Sequence, residues 1–313
     1  MIRKLLILLR KLFLLFFSDK EQKPLSYDKS GQNASDYIKS LLLSEKPVMI
    51  CRFGSTELTA IVNYKFNISF SNALKFITKK INSIGYANNT AVNMYQLSGF
   101  FPADKSNLEI FSQYMIDIMP MVDVLGSWRF EEMVFEKELM NAVKVPLGDL
   151  EPYFHQDPWS EVLRDKKVLV IHPFEDSIHS QYPKRDLLFS DKRVLPEFNL
   201  LTIKSVQSLG KIPDEFATWF DALESMKREI DKRDFDIAII GCGAYGFPLA
   251  AYVKSIGKKA VHLGGATQML FGIKSKSWED EPKFHYLINE YWVRPKETER
   301  PANYKLVEGG RYW

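Results

Sequence analysis

The sequence predicts an α/β chain: a Rossmann-like layered fold with a largely parallel sheet, an amphipathic helix before it and an extended tail after it. Three observations carry this. Apolar runs of strand length alternate with helix-period stretches along most of the 313 residues. The segment 236–265, DIAIIGCGAYGFPLAAYVKSIGKKAVHLGG, reads as a strand, a glycine-rich turn, a helix and a second strand. A hydrophobic content of 46% suffices to bury a sizeable core.

In chain order, residues 1–17 (MIRKLLILLRKLFLLFF) form a helix that repeats its basic residues Arg3, Lys4, Arg10 and Lys11 after seven positions, on nearly one face. Its uninterrupted apolar pieces, 5–9 and 12–17, fall far short of the roughly 20 residues a spanning helix needs. No small-residue cleavage site follows. The pattern fits a helix lying in a membrane interface with Arg and Lys toward lipid phosphates, or one packed on the body or a partner. Residues 18–35 are polar, with Pro24 and Gly31, and read as a linker. Helix signals follow over 36–43, capped by Ser35 or Asn33, then a strand over 47–53 that stops at Gly54. Ser55 or Thr56 caps a helix over 57–64, with Glu57 in its first turn. Residues 71–119 read as mostly helical, broken by the turn 98–102, and 122–125 as a short strand ending in Gly126-Ser127-Trp128. A helix over 160–164, strands at Lys167–His172 and 200–203, and an amphipathic helix over 216–232 lead to the glycine turn. The organisation is thus 1–35 helix and linker, 36–277 α/β domain, and 278–313 a tail, rich in Pro, Glu and aromatics, that wraps over the body.

Several classes are excluded. The net charge of +3 is more than accounted for by the four basic residues of the first helix, so the body is near neutral and carries no basic stripe for nucleic acid. Two cysteines, Cys51 and Cys242, make no disulfide framework, which fits a reducing cytoplasm. Zinc spacing, a G-x-S-x-G elbow and a Walker lysine are all absent from the sequence.

Gly241-Cys242-Gly243-Ala244-Tyr245-Gly246 matches G-x-G-x-x-G between a strand and a helix, a turn that lets backbone N–H groups approach a phosphate. The strand after it ends in His262-Leu263-Gly264-Gly265-Ala266-Thr267-Gln268, without the carboxylate that holds a dinucleotide's ribose, which speaks against NAD. In open α/β sheets ligands sit beyond the carboxyl ends of the strands. Those ends supply Arg52, Ser55 and Glu57; His172, Ser177, Gln181 and Arg185; Lys204, Ser205 and Gln207; the glycine turn; and His262 with Gln268. Each also has a plain structural use: Arg52 can pair with a carboxylate, Glu57 can balance a helix dipole, and the histidines can be bonded core residues.

Arg52-Phe53-Gly54-Ser55-Thr56-Glu57 resembles the R-F-G-D-G-E segment of the GT-D-fold glycosyltransferases of bacterial surface-polysaccharide and glycoprotein assembly. The stretch from Gly241–Gly246 through His262-Leu263-Gly264-Gly265 is similar to the later nucleotide-fold portion of that group. The resemblance runs over about 47–272. It implies transfer of a sugar from a nucleotide-sugar donor, usually a UDP-sugar, to a glycan acceptor. The implied catalytic residues are Glu57 and Arg52. Phe53, Gly54, Ser55, Gly241, Gly243, Tyr245, Gly246, Gly264, Gly265 and Gln268 would face the donor. His172, Ser177, Gln181, Arg185 and Gln207 are the phosphate or acceptor candidates. The family's Asp-x-Glu element, associated with donor and divalent metal, falls on Ser55-Thr56-Glu57, so only Glu57 is left to hold Mn²⁺ or Mg²⁺. The expected setting is the cytoplasmic face of the cell membrane, reached through residues 1–17, with an acceptor carried on lipid. A non-catalytic nucleotide-sugar-binding protein of the same pathway is the alternative.

Overall fold

Every central strand is apolar on both sides, and the structure shows why. Met49 and Cys51 face one side of the sheet while Val48 and Ile50 face the other; Leu169 and Ile171 oppose Val168 and Val170, and Ala238 and Ile240 oppose Ile237 and Ile239. Each face is covered, so neither tolerates polar alternation. Burying one such Val, Leu or Ile contributes roughly 1.5–3 kcal/mol.

The computed structural model describes residues 2–17, 24–87, 89–209, 212–301, 303–310 and 312–313. Its strands are β1 (Val48–Cys51), β2 (Val124–Ser127), β3 (Val143–Pro146), β4 (Lys167–His172), β5 (Asn199–Lys204), β6 (Ile237–Ile240) and β7 (Lys259–His262). They form one seven-stranded sheet in the order β3-β2-β1-β7-β6-β4-β5, parallel throughout. The α-helices are α1 (Ile2–Phe16), α2 (Gln32–Leu43), α3 (Ser55–Lys65), α4 (Phe70–Ile77), α5 (Thr90–Ser98), α6 (Lys105–Ile118), α7 (Glu175–Gln181), α8 (Arg185–Leu188), α9 (Trp219–Asp231), α10 (Gly246–Ser255), α11 (Ala266–Leu270) and α12 (Lys276–Glu279). Residues of α3, α5, α6, α9 and α10 build the core on one face; α2, α7, α8, α11 and the tail build the other. The result is a three-layered, Rossmann-like α/β fold.

Strand β4 leads through α7 and α8 to β5 at the sheet edge, whereas its neighbour β6 leads through α10 to β7 on the inner side. Connections that diverge in this way open a crevice at the carboxyl ends of the strands.

Four readings of the sequence are corrected. Strand β3 was not legible: Val143 and Val145 flank Lys144 in a partly exposed edge position, and only pairing with β2 makes it a strand. Of the expected linker, 18–23 lie outside the described residues, while Asp28 and Lys29 run against the sheet edge. There the Asp28 N–H donates to Lys144 O at 2.8 Å and the Lys144 N–H to Asp28 Oδ2 at 2.7 Å. Helix α2 starts at Gln32, earlier than expected, and α3 starts from Gly54 without a side-chain cap. Finally, the basic residues of α1 do not share one environment. Arg3 Nε donates to Ile84 O at 3.2 Å and Arg10 Nη1 to Ile81 O at 3.0 Å, with the Arg10 guanidinium 4.5 Å from the Phe76 ring centre. Lys4 and Lys11 point outward. No helix among the described residues is long and apolar enough to cross a membrane.

Candidate functional site

A cleft of about 440 Å³ opens at the carboxyl edge of the sheet, over the ends of β1, β4, β5, β6 and β7. Its first wall is the β1–α3 turn. Phe53 is fully buried and stacks on Phe247 at 4.7 Å, which fixes the carbonyl it carries. That oxygen accepts from Arg52 Nε at 3.1 Å, Arg52 Nη2 at 2.8 Å and Trp128 Nε1 at 3.1 Å. The guanidinium therefore lies 5.2 Å over the Trp128 ring, on the cleft wall. Trp128 is itself positioned from below: buried Glu132 accepts from the Ser127 hydroxyl and from the N–H groups of Trp128 and Arg129. Burial holds the Arg52 pKa below its ordinary value, while Glu57, Tyr312, Glu151 and Glu132 favour its charge from a distance. A guanidinium stays protonated even so, and no described carboxylate forms an ion pair with it.

Glu57, 8% exposed, folds back over its own helix start. A Cβ at Gly54 would stand 1.9 Å from its Oε2, so the glycine there is what makes room for the carboxylate. Burial raises the Glu57 pKa; its own N–H, the Ser98 hydroxyl and the Arg52 charge oppose that without cancelling it.

The second wall is the glycine turn, where the three motif glycines divide between two jobs. A Cβ at Gly241 would meet Gly264 O at 2.5 Å and Thr267 Oγ1 at 2.6 Å, and one at Gly246 would meet His262 Cε1 at 2.1 Å. Both are packing glycines. Gly243 alone needs the left-handed backbone, at φ 56°. The N–H groups of Gly243 and Ala244 find no acceptor among the described residues, and Gly243 lines the cleft. Tyr245 stacks on Trp219 at 5.0 Å and its hydroxyl meets Ser208 Oγ at 3.2 Å; burial pushes its pKa up.

Both strand-end histidines are neutral, held down to about 3 by burial, with Arg52 adding to the effect at His262. His172 Nδ1 accepts from the Phe174 N–H at 3.0 Å, which leaves the proton on Nε2; His262 Nδ1 stands 3.2 Å from Ile240 O and so carries the proton itself. Along the third wall, Ser205 Oγ, Gln207 Nε2 and Trp313 Nε1 are buried cleft atoms without a hydrogen-bond partner among the described residues. Such groups cost stability unless something satisfies them.

The structure thus brings Arg52, Gly54, Ser55 and Glu57, His172 and Gln207, Gly241, Gly243 and Tyr245, and Gly264, Gly265 and Gln268 to one cleft. Five candidates are not on its wall. Phe53 contributes a carbonyl from behind, and Gly246 packs on His262. The Ser177 hydroxyl and N–H both go to buried Glu299 of the tail. Gln181 Nε2 donates to Gly272 O at 3.2 Å and Tyr291 O at 2.9 Å. Arg185 pairs with Glu197 at 2.9 Å. Sequence reasoning missed Ser98, Trp128 and Trp313 on the wall. Trp128 sits directly after a strand and was within reach of the strand-end rule; the other two come from remote segments with no local signal.

Among the described residues Glu57 is the single acidic side chain on the cleft wall, and they contain no group of three or more His, Cys, Asp or Glu able to hold a metal. A divalent cation asks for several hard oxygen ligands, and one carboxylate within the field of a guanidinium is a poor match. The donor set does not fit Mn²⁺ or Mg²⁺. It fits an anion instead: one cation and several unpaired donors around a single carboxylate.

Comparison with family models, with curated proteins and with solved structures finds no match for the chain.

Proposed function

We propose that the cleft binds a nucleotide-sugar, most simply a UDP-sugar, and that the chain transfers the sugar to a glycan acceptor in bacterial cell-surface polysaccharide synthesis at the cytoplasmic face of the membrane. The observation that carries this reading is Arg52, a half-buried guanidinium on the cleft wall without an ion-pair partner among the described residues, set beside Glu57, the one carboxylate those residues bring to a cleft rich in unpaired donors. In this reading the donor's diphosphate lies against Arg52 and the N–H groups of Gly243 and Ala244. These are fixed in advance by Phe53 O and the glycine turn, so they stabilise the developing charge without reorganising. An acceptor hydroxyl attacks the anomeric carbon, the bond from that carbon to the diphosphate oxygen breaks, and the hydroxyl proton passes to Glu57. A raised pKa suits that task, because the carboxylate then holds a proton more strongly than an ordinary one.

The runner-up is a non-catalytic nucleotide-sugar-binding protein, and the single carboxylate favours it: Ser55 stands where the resembling family carries a second acid. One experiment separates them. The full chain is incubated with UDP-sugars and glycan acceptors while UDP release and thermal stability are both followed. Release above the no-enzyme rate supports transfer. A thermal upshift without release leaves the binding protein. Neither release nor upshift removes both.

A further inference from the structure

We propose that α1 and α4 together form a surface that docks on an anionic lipid bilayer. It goes beyond glycosyl transfer and does not depend on it, because it uses residues remote from the cleft. Helix α1 buries one stripe, Leu6 with Ile7, against Phe76, Ala73 and Ile77 of α4, and Arg3 and Arg10 tie that same stripe to the turn at Ile81 and Ile84. The opposite stripe, Leu5, Leu8, Leu12 and Phe16, repeats at helix spacing and is exposed. Helix α4, on which α1 packs, exposes Phe70 and Leu74, one turn apart; Phe70 is 89% exposed, more than any other large hydrophobic residue among those described. An apolar face of this extent on a folded protein marks a contact surface.

Charge selects the occupant. Lys4 and Lys11 border the exposed stripe of α1, and Lys75 stands exposed on α4. The described part of the N-terminal segment, 2–17, carries no acid, and neither does the whole stretch between Glu57 and Asp104 that contains α4. A second copy of the chain would bring lysines against lysines across a two-fold contact. A bilayer with anionic headgroups offers apolar depth to the leucines and phenylalanines and opposite charge to the lysines. With 15 residues, α1 is about 22 Å long, too short to span a core of about 30 Å, so it lies along the surface.

The test is co-sedimentation of the full-length chain with phosphatidylcholine vesicles, with and without phosphatidylserine. Binding is expected with phosphatidylserine and much weaker without it. Lys4→Gln with Lys11→Gln should weaken it about thirtyfold, at roughly fivefold per lysine. Phe70→Ser, an exposed change that leaves the fold intact, should weaken it at least about tenfold if α4 inserts. The proposal is overturned if the native chain ignores anionic vesicles, or if Phe70→Ser binds like wild type. It is equally overturned if light scattering shows a dimer that Phe70→Ser dissociates, since the face then belongs to a second copy.

Discussion

Two segments that follow parallel strands carry the same kinds of side chain and end differently. After β1, Arg52 and Glu57 turn into the cleft; after β4, Ser177, Gln181 and Arg185 turn away from it. The chemistry of the residues does not separate them. What separates them is whether the chain itself supplies a partner. The tail brings Glu299 to Ser177 and the Tyr291 carbonyl to Gln181, and the β4–β5 connection brings Glu197 to Arg185. No carboxylate among the described residues pairs with Arg52, which is held by the Phe53 carbonyl of its own turn, and Ser205 and Gln207 on the cleft wall are left with unpaired atoms; Gln181 also keeps an unpaired amide oxygen, but away from the cleft. A polar group satisfied within the fold is architecture; one held in place and left unsatisfied is available to a ligand.

The largest expected effect falls on the residue that most depends on this contrast. Glu57→Gln should lower sugar transfer by about 10²–10⁴, the usual loss for a positioned base. Its stability should not fall. A carboxyl whose folded pKa lies above the ordinary 4.5 costs stability while charged, a cost present above the folded pKa and gone below 4.5. The Gln variant is expected to match or exceed wild type in denaturant at neutral pH and to lose that advantage in acid. Wild-type turnover in the folded variant would remove Glu57 from the chemistry.

Next comes the direct contrast of the two arginines. Arg52→Gln should weaken UDP binding, measured by calorimetry, by roughly tenfold to a hundredfold, the value of a hydrogen bond to a charged group. Arg185→Gln should leave that affinity unchanged. If the two variants behave alike, the segments do not differ in the way argued from their partners.

A third change sharpens the glycine turn. Gly246→Ala drives a methyl into the His262 ring and should cost about 1–3 kcal/mol of stability, as overpacking does. Donor affinity in the fraction that stays folded should hold. Loss of affinity at wild-type stability would make Gly246 a ligand contact.

The smallest effect is expected from the stability of Arg185→Gln. Glu197 is 72% exposed, and a pair so open to water contributes at most about 1 kcal/mol. A larger loss in denaturant would mean that Arg185 does more than pair at the surface.

Much of the frame was legible. Lys167–His172 is readable to the residue because a buried central strand must be apolar over its length, and the pattern around Gly241 fixes a strand, a turn and a helix. Strand β3 was hidden because an edge position asks for little apolar character. The basic repeat of α1 was visible, but its division was not: seven-residue spacing puts Arg3 with Arg10 and Lys4 with Lys11, and only the docked turn at Ile81–Ile84 tells which pair faces inward.

The sequence by itself determined the layered α/β class, most of the central strands, the glycine turn and the edge of the sheet on which a ligand would sit. These follow from local rules, since periodicity and backbone freedom act within a few residues. The tertiary structure decided which polar side chains were left for that ligand. It gave Gly241 and Gly246 to packing, Ser177 to the tail, and Ser98 and Trp313 to the cleft. Those choices depend on partners far away along the chain, such as Glu299 for Ser177, and a hydrogen bond is decided by what stands within about 3 Å in space.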